Sequence, residues 1–124
     1  MIYGLGIDII QVKRIKEALD KYGDKFARRI LGEDEREIFR ERLDKAAFVA
    51  GRFAAKEAVM KSLSSFFDAG GIYFKSIQIL PDLYGRPYCH LDDDIREKIF
   101  DKEIKISIAH DREAATAIAI MSGD

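Results

Sequence analysis

Cysteine is nearly missing: Cys89 is the one thiol in 124 residues. A lone thiol excludes an intrachain disulfide and suits a reducing compartment. Long apolar runs are missing as well, and none approaches the roughly 18 residues needed to cross a bilayer. The opening Met1-Ile2-Tyr3-Gly4 lacks the basic stretch and long apolar stretch of a secretory signal. These absences together lead us to expect a cytoplasmic protein with no membrane partner. Asparagine does not occur, glutamine is confined to Gln11 and Gln78, and Lys, Arg, Glu and Asp are abundant, a balance that leans toward a thermophilic source. An excess of either charge is also lacking, since 21 basic and 22 acidic residues leave a formal net charge of −1. That argues against bulk affinity for nucleic acid, although it leaves local basic patches open. No internal repeat or low-complexity tract occurs.

What is present fits one domain over residues 1–124. Hydrophobic residues make up 48% and charged residues 35%, too apolar for a disordered chain and enough for a core. A domain of this size buries its own surface only moderately well, so self-association is a reasonable expectation. Ile2 to Ile10 reads as a short buried strand interrupted by Gly4 and Gly6, where glycine marks a bend or a close approach. Val12 to Tyr22 has helical spacing and Gly23 is a plausible stop. Phe26 to Leu31 is a short amphipathic stretch beside Arg28 and Arg29. Glu33 to Arg42 is so charged that an exposed helix is expected. Asp44 to Leu63 is the longest helical signal, with Asp44 placed to cap it. Phe66 to Gly71 reads as a loop, Ile72 to Leu80 as a strand and Pro81 to Tyr84 as a turn. Gly85-Arg86-Pro87 opens a second strand through Leu91. Asp92 to Phe100 reads as a helix, and Ile104 to Ile108 with Ala114 to Met121 as a hairpin. Strands and helices without regular βαβ alternation give an α+β class, a small antiparallel sheet packed on a long central helix.

That helix is small or apolar nearly all round, with Val49, Phe53 and Met60 on one face and alanines over much of the rest, so it should be largely buried. Arg52, Lys56, Glu57 and Lys61 are embedded in it. Glu57 and Lys61, four apart, can be a simple helical ion pair worth a few tenths of a kcal/mol. Buried charges, however, cost free energy unless they are paired or bind something. A carboxylate beside an ammonium offers oxygen to a hard cation and positive charge to a phosphate. Asp8 interrupts the apolar run of the first strand. It reads either as a turn or capping residue or as a second metal ligand, and Mg²⁺ takes one or two protein carboxylates. The nearby glycines would let a bulky ligand approach.

Taken in order, Gly6-Ile7-Asp8-Ile9, Arg14-Ile15, Phe26 to Leu31, Arg52-Phe53-Ala54-Ala55-Lys56-Glu57-Ala58 with Lys61, Gly85-Arg86-Pro87 and Ser107-Ile108-Ala109-His110 resemble the holo-[acyl carrier protein] synthases. These belong to the phosphopantetheinyl transferases. The likeness runs from the first strand to the last. It implies a homotrimer with active sites between subunits, acting in fatty acid biosynthesis. It implies transfer of 4′-phosphopantetheine from coenzyme A to a serine of apo-acyl carrier protein, with release of adenosine 3′,5′-bisphosphate. By this resemblance Asp8 and Glu57 match Mg²⁺ ligands and, with Lys61, the catalytic set. Arg52, Lys61, Gly85, Arg86, Pro87 and His110 match the coenzyme A site. Arg14, Phe26, Arg28, Arg29 and Ile30 match the surface that receives the acidic carrier.

The match is not complete. Ile7 stands where the family often has Thr, Tyr84 where many members have Asn, Ala109 where Ser is frequent, and Asp111 where Ser or Thr is commoner. The serine must lose a proton to Glu57, to Asp8 or to a water on the metal, and the residues alone do not choose. His110 reads as structural or as a coenzyme A contact, and His90 beside Cys89 as structural. Arg28 and Arg29 are either a solvated face or a docking patch for an acidic partner. Two rivals stand beside the enzyme: a non-catalytic, oligomeric module binding coenzyme A or a nucleotide, and a structural oligomerisation domain whose buried charges are ion pairs.

Overall fold

The computed structural model describes residues 1–124. Strand β1 (Ile2–Gln11) leads directly into helices α1 (Val12–Tyr22), α2 (Asp24–Ile30), α3 (Glu33–Glu41) and α4 (Lys45–Ser64). A single 3₁₀ turn (Phe74–Ser76) precedes β2 (Ile77–Pro81) and β3 (Pro87–Leu91), which are followed by α5 (Asp93–Ile99), β4 (Glu103–His110) and β5 (Ala114–Ser122). The strands form an antiparallel three-stranded sheet, ordered β1-β5-β4, and a separate β2-β3 hairpin. Helix α4 lies across the larger sheet, so the α+β expectation holds in class and in layout.

Local chemistry explains the boundaries. Gly23 has φ +57°, a left-handed conformation that suits glycine, and its N–H returns to the Leu19 carbonyl to end α1. Asp44 caps α4 by accepting from the Ala47 N–H at 3.0 Å. Eleven residues of α4 are buried, from Phe48 to Leu63, including the wholly apolar Val49, Ala54, Ala55 and Ala58. Its alanines let the sheet come close, and Gly51 meets Ile108 of β4.

Gly4 and Gly6 make the closest approach. A Cβ on Gly4 would fall 2.0 Å from the Ser62 carbonyl oxygen, and one on Gly6 would fall 1.9 Å from that of Ala58. The group that needs these glycines is therefore the backbone of α4, not a ligand, which corrects that part of the sequence reading.

Two further expectations change. Helix α3 is not simply exposed: Glu35 and Phe39 are buried on its inner side. In the segment expected as a strand from Ile72, Phe74–Ser76 forms a 3₁₀ turn, and the strand starts only at Ile77.

The sheet's outer face carries Leu5, Ile7 and Ile9 of β1, which are 58%, 64% and 70% exposed, beside Ile118 of β5. One chain leaves this apolar face uncovered.

Candidate functional site

Asp8 and Glu57 meet because β1 lies flat on α4. Strand alternation turns Gly4, Gly6 and Asp8 toward the helix while Leu5, Ile7 and Ile9 turn away. With no side chain at Gly6, Asp8 is drawn down beside Glu57 and Lys61, one turn apart on α4. Lys61 Nζ donates to Asp8 Oδ1 at 3.2 Å and to the Ile7 carbonyl at 2.9 Å. The sequence suggested a pair between Glu57 and Lys61 within the helix; the observed ion pair of Lys61 crosses to β1 instead. Thr116 of β5 donates its hydroxyl to the Asp8 carbonyl at 2.8 Å, which fixes the strand from the other side.

The electrostatics leave Glu57 under-compensated. Burial raises its pKa above the ordinary glutamate value, and the negative charge of Asp8 raises it further, while Lys61 offsets only part of this. Two carboxylates that repel each other in a half-buried notch form an oxygen donor set suited to a hard divalent cation. No third His, Cys, Asp or Glu joins them, so a cation here would have two protein ligands. Lys61 has three N–H groups, two of them committed, and a half-exposed side chain that leaves the third for an incoming anion.

The other candidates lie elsewhere. Arg86 sits at the tip of the β2-β3 hairpin, where Gly85 takes φ +80°. Asp82 accepts from the Arg86 Nε at 3.2 Å and from the Arg86 and Tyr84 backbone N–H groups. Those hydrogen bonds, led by the one from the Arg86 backbone, hold the Asp82 carboxyl below its usual range. Arg86 and Pro87 line a groove of about 490 Å³ with Tyr88, Lys105 and Ser107. His110 ends β4, on the far side of the sheet from β1 and two strand spacings (about 10 Å) away. Arg52 stacks its guanidinium on Phe48, 4.3 Å from the ring centroid, with its Nε buried and without a partner. Within one chain no hydrogen bond or ion pair joins these groups to Asp8 or Glu57.

On the helical side Arg14, Arg28 and Arg29 are exposed and Phe26 is half-buried. Ile30 does not belong with them: it is 6% exposed and part of the core, so an apolar anchor beside the arginines rests on Phe26. Lys56, embedded in the long helix with Arg52, is wholly buried and paired with Glu35 at 2.5 Å. Burial lowers the Lys56 pKa, and Glu35 opposes that shift. Glu35 escaped the sequence reading because α3 looked uniformly charged. The available signal was its place three residues after Gly32, where it accepts the Gly32 N–H at the helix start.

The side chains that depart from the resembled pattern make no contact with the two carboxylates, although the Ile7 backbone carbonyl accepts from Lys61. Ile7 points to the outer sheet face, Tyr84 is exposed under Arg86, and Ala109 is exposed on β4. Asp111 accepts from Glu113 and Ala114 N–H and closes the β4-β5 turn. Cys89 faces inward, where burial pushes its thiol up to about 12, whereas His90 is exposed on the opposite strand face and forms no part of the core.

Residues 4–119 match the family model of the 4′-phosphopantetheinyl transferase superfamily. A holo-[acyl-carrier-protein] synthase of Pelodictyon phaeoclathratiforme is 44% identical over 119 residues, covering 94% of this chain and 96% of that protein. Among solved structures, a Bacillus anthracis holo-(acyl-carrier-protein) synthase in complex with CoA (3′,5′-ADP) superposes with TM-score 0.81 at 35% identity, covering 98% and 96% of the two chains. The Neisseria meningitidis holo-[acyl-carrier-protein] synthase gives TM-score 0.84 at 30% identity, covering 99% and 100%.

Proposed function

This chain belongs to the 4′-phosphopantetheinyl transferase superfamily, and from that premise we propose that it moves the 4′-phosphopantetheine arm of coenzyme A onto a serine of apo-acyl carrier protein. The serine oxygen bonds to the β-phosphorus, the bond from that phosphorus to the bridging oxygen breaks, and adenosine 3′,5′-bisphosphate leaves with the electron pair. The serine proton goes to a carboxylate of the site or to water. The observation that carries this reading is the convergence of Asp8, Glu57 and Lys61 at the seam of β1 and α4.

Asp8 and Glu57 would hold Mg²⁺. When bound, such an ion neutralises charge on the pyrophosphate, the usual need in phosphoryl-type transfer. The free N–H of Lys61 is available to a phosphate oxygen as charge builds on the leaving group. Arg14, Arg28 and Arg29, with Phe26, offer positive charge around an apolar contact, which suits an acidic carrier. Arg52, Gly85, Arg86, Pro87 and His110 would bind coenzyme A. The placement of Arg86 on a separate hairpin and of His110 at the opposite edge of the sheet from β1 supports a site shared between subunits, and the uncovered Leu5-Ile7-Ile9 face supplies an apolar contact for self-association as a homotrimer. The lone thiol fits a reducing, cytoplasmic compartment, and transfer to an acyl carrier protein fits a role in fatty acid biosynthesis. No helix is long and apolar enough to cross a membrane.

A non-catalytic coenzyme A-binding module would need Arg86 and Arg52 but not the convergence of two carboxylates. Mixing the protein with coenzyme A, Mg²⁺ and apo-acyl carrier protein and weighing the carrier separates the two. The expected result is a carrier heavier by one phosphopantetheine, lost in Asp8→Asn and Glu57→Gln. An unchanged carrier from wild-type protein that still binds coenzyme A favours the module.

A further inference from the structure

Lys56 is a fully buried lysine whose three N–H groups are all used. Nζ donates to Glu35 Oε1 at 2.5 Å, to the Ile30 carbonyl at 2.6 Å and to the Phe74 carbonyl at 3.0 Å. Glu35 is as fully engaged: Oε1 also accepts the Gly32 N–H and Oε2 accepts the Ile79 N–H, both at 2.9 Å. One ion pair thus ties the C-terminal end of α2, the start of α3, the middle of α4, the 3₁₀ turn and β2.

Its position is what matters for function. Lys56 precedes Glu57 in α4, and its bond to the Ile30 carbonyl grips the end of the short helix that carries Arg28 and Arg29. Helix α2 has seven residues and no side-chain cap, so it is marginal alone and takes its orientation from such anchors. A buried ion pair is a poor way to gain stability, because apolar residues of the same volume do as well. What it supplies instead is a defined geometry, since charges and hydrogen bonds fix distance and direction where apolar contacts slide.

We propose that Lys56 and Glu35 are positioning residues that set the orientation of the arginine-bearing α2 relative to Glu57, and so govern productive docking of the acidic carrier rather than binding of coenzyme A. The inference rests on the proposed transfer reaction and on α2 as the docking element. Neither residue touches a reacting atom.

The test measures KM for carrier and for coenzyme A separately, together with thermal melting, in three variants. Glu35→Asp keeps both charges and shortens the acid by one methylene. Glu35→Gln/Lys56→Met removes both charges together. Arg28→Glu reports whether the carrier docks on α2. For folded Glu35→Asp the expected result is a KM for carrier raised about tenfold or more, with KM for coenzyme A and affinity for adenosine 3′,5′-bisphosphate within twofold of wild type. The charge-free double variant, where it folds, should behave the same way. A folded Glu35→Asp with wild-type KM for carrier overturns the positioning role, as does an equal loss for both substrates. If Arg28→Glu leaves the KM for carrier unchanged, the docking element is misassigned and the inference falls with it. A wild-type protein that leaves the carrier unmodified overturns the transfer reading itself.

Discussion

Half-buried and facing the negative charge of Asp8, Glu57 keeps its proton to a higher pH than an ordinary glutamate. Between the ordinary value and the raised one, the folded protein holds a proton that the unfolded chain has released. Stability therefore falls as pH rises through that window, and the cost is fully present above it. Glu57→Gln removes it. In metal-free protein the variant should melt higher than wild type at pH 7, and the difference should vanish below the ordinary glutamate range. Thermal melts at the two pH values measure this directly. Added Mg²⁺ should raise the melting temperature of wild type and leave the variant unmoved, because an ion that binds only the folded state stabilises it by mass action. A variant that melts lower at neutral pH would show Glu57 to be a stabilising ion-pair partner, as a purely structural reading of the buried charges requires.

At the level of elements, the site is a consequence of one strand lying against one helix. Gly6 permits that contact, since any side chain there would meet the Ala58 carbonyl at 1.9 Å. Gly6→Ala must lift β1 from α4 and should cost at least about 1–3 kcal/mol, the range for overpacking. It should also part Asp8 from Glu57, so that the Mg²⁺-dependent rise in melting temperature disappears. Gly71→Ala is the control, because nothing lies within 4 Å of its Cβ; its cost should stay within about 0.5 kcal/mol. Equal losses in the two variants would mean that the close approach does not shape the site. The elements themselves were legible in the chain. Val12–Tyr22, the Asp44 cap and the final hairpin lie where periodicity and capping residues place them. Helix α3 was read as exposed because charge dominates its composition, and only packing reveals which of its acids turns inward.

Across the whole molecule, the exposed Leu5, Ile7 and Ile9 and the scattered candidates for coenzyme A binding are the features on which the proposed trimer with a shared site can be tested. Ile7→Glu places a charge on the outer sheet face without touching the side of the strand that carries Asp8. It should leave the fold intact, reduce the mass in analytical ultracentrifugation to that of one chain, and abolish transfer. A shared site makes a further demand: inactive Glu57→Gln and inactive Arg86→Ala proteins, mixed and allowed to exchange subunits, should regain part of the activity. If the mixture stays inactive while the subunits exchange, the two residues serve the same chain's site.

By itself the sequence determined the class of fold, the long buried helix, and the residue types with which Asp8, Glu57 and Lys61 can hold a cation and a phosphate. These are local properties, set by periodicity, capping and side-chain chemistry within a few residues. Tertiary structure alone decided what each charge faces. Lys61 reaches Asp8, more than fifty residues away, in place of its helical neighbour Glu57. Lys56 is consumed by Glu35, and Ile30 is lost to the core. Gly4 and Gly6 serve the backbone of a helix rather than a ligand. Each of these depends on which surfaces meet when β1 docks on α4. Partners brought together across the chain leave no mark in local spacing.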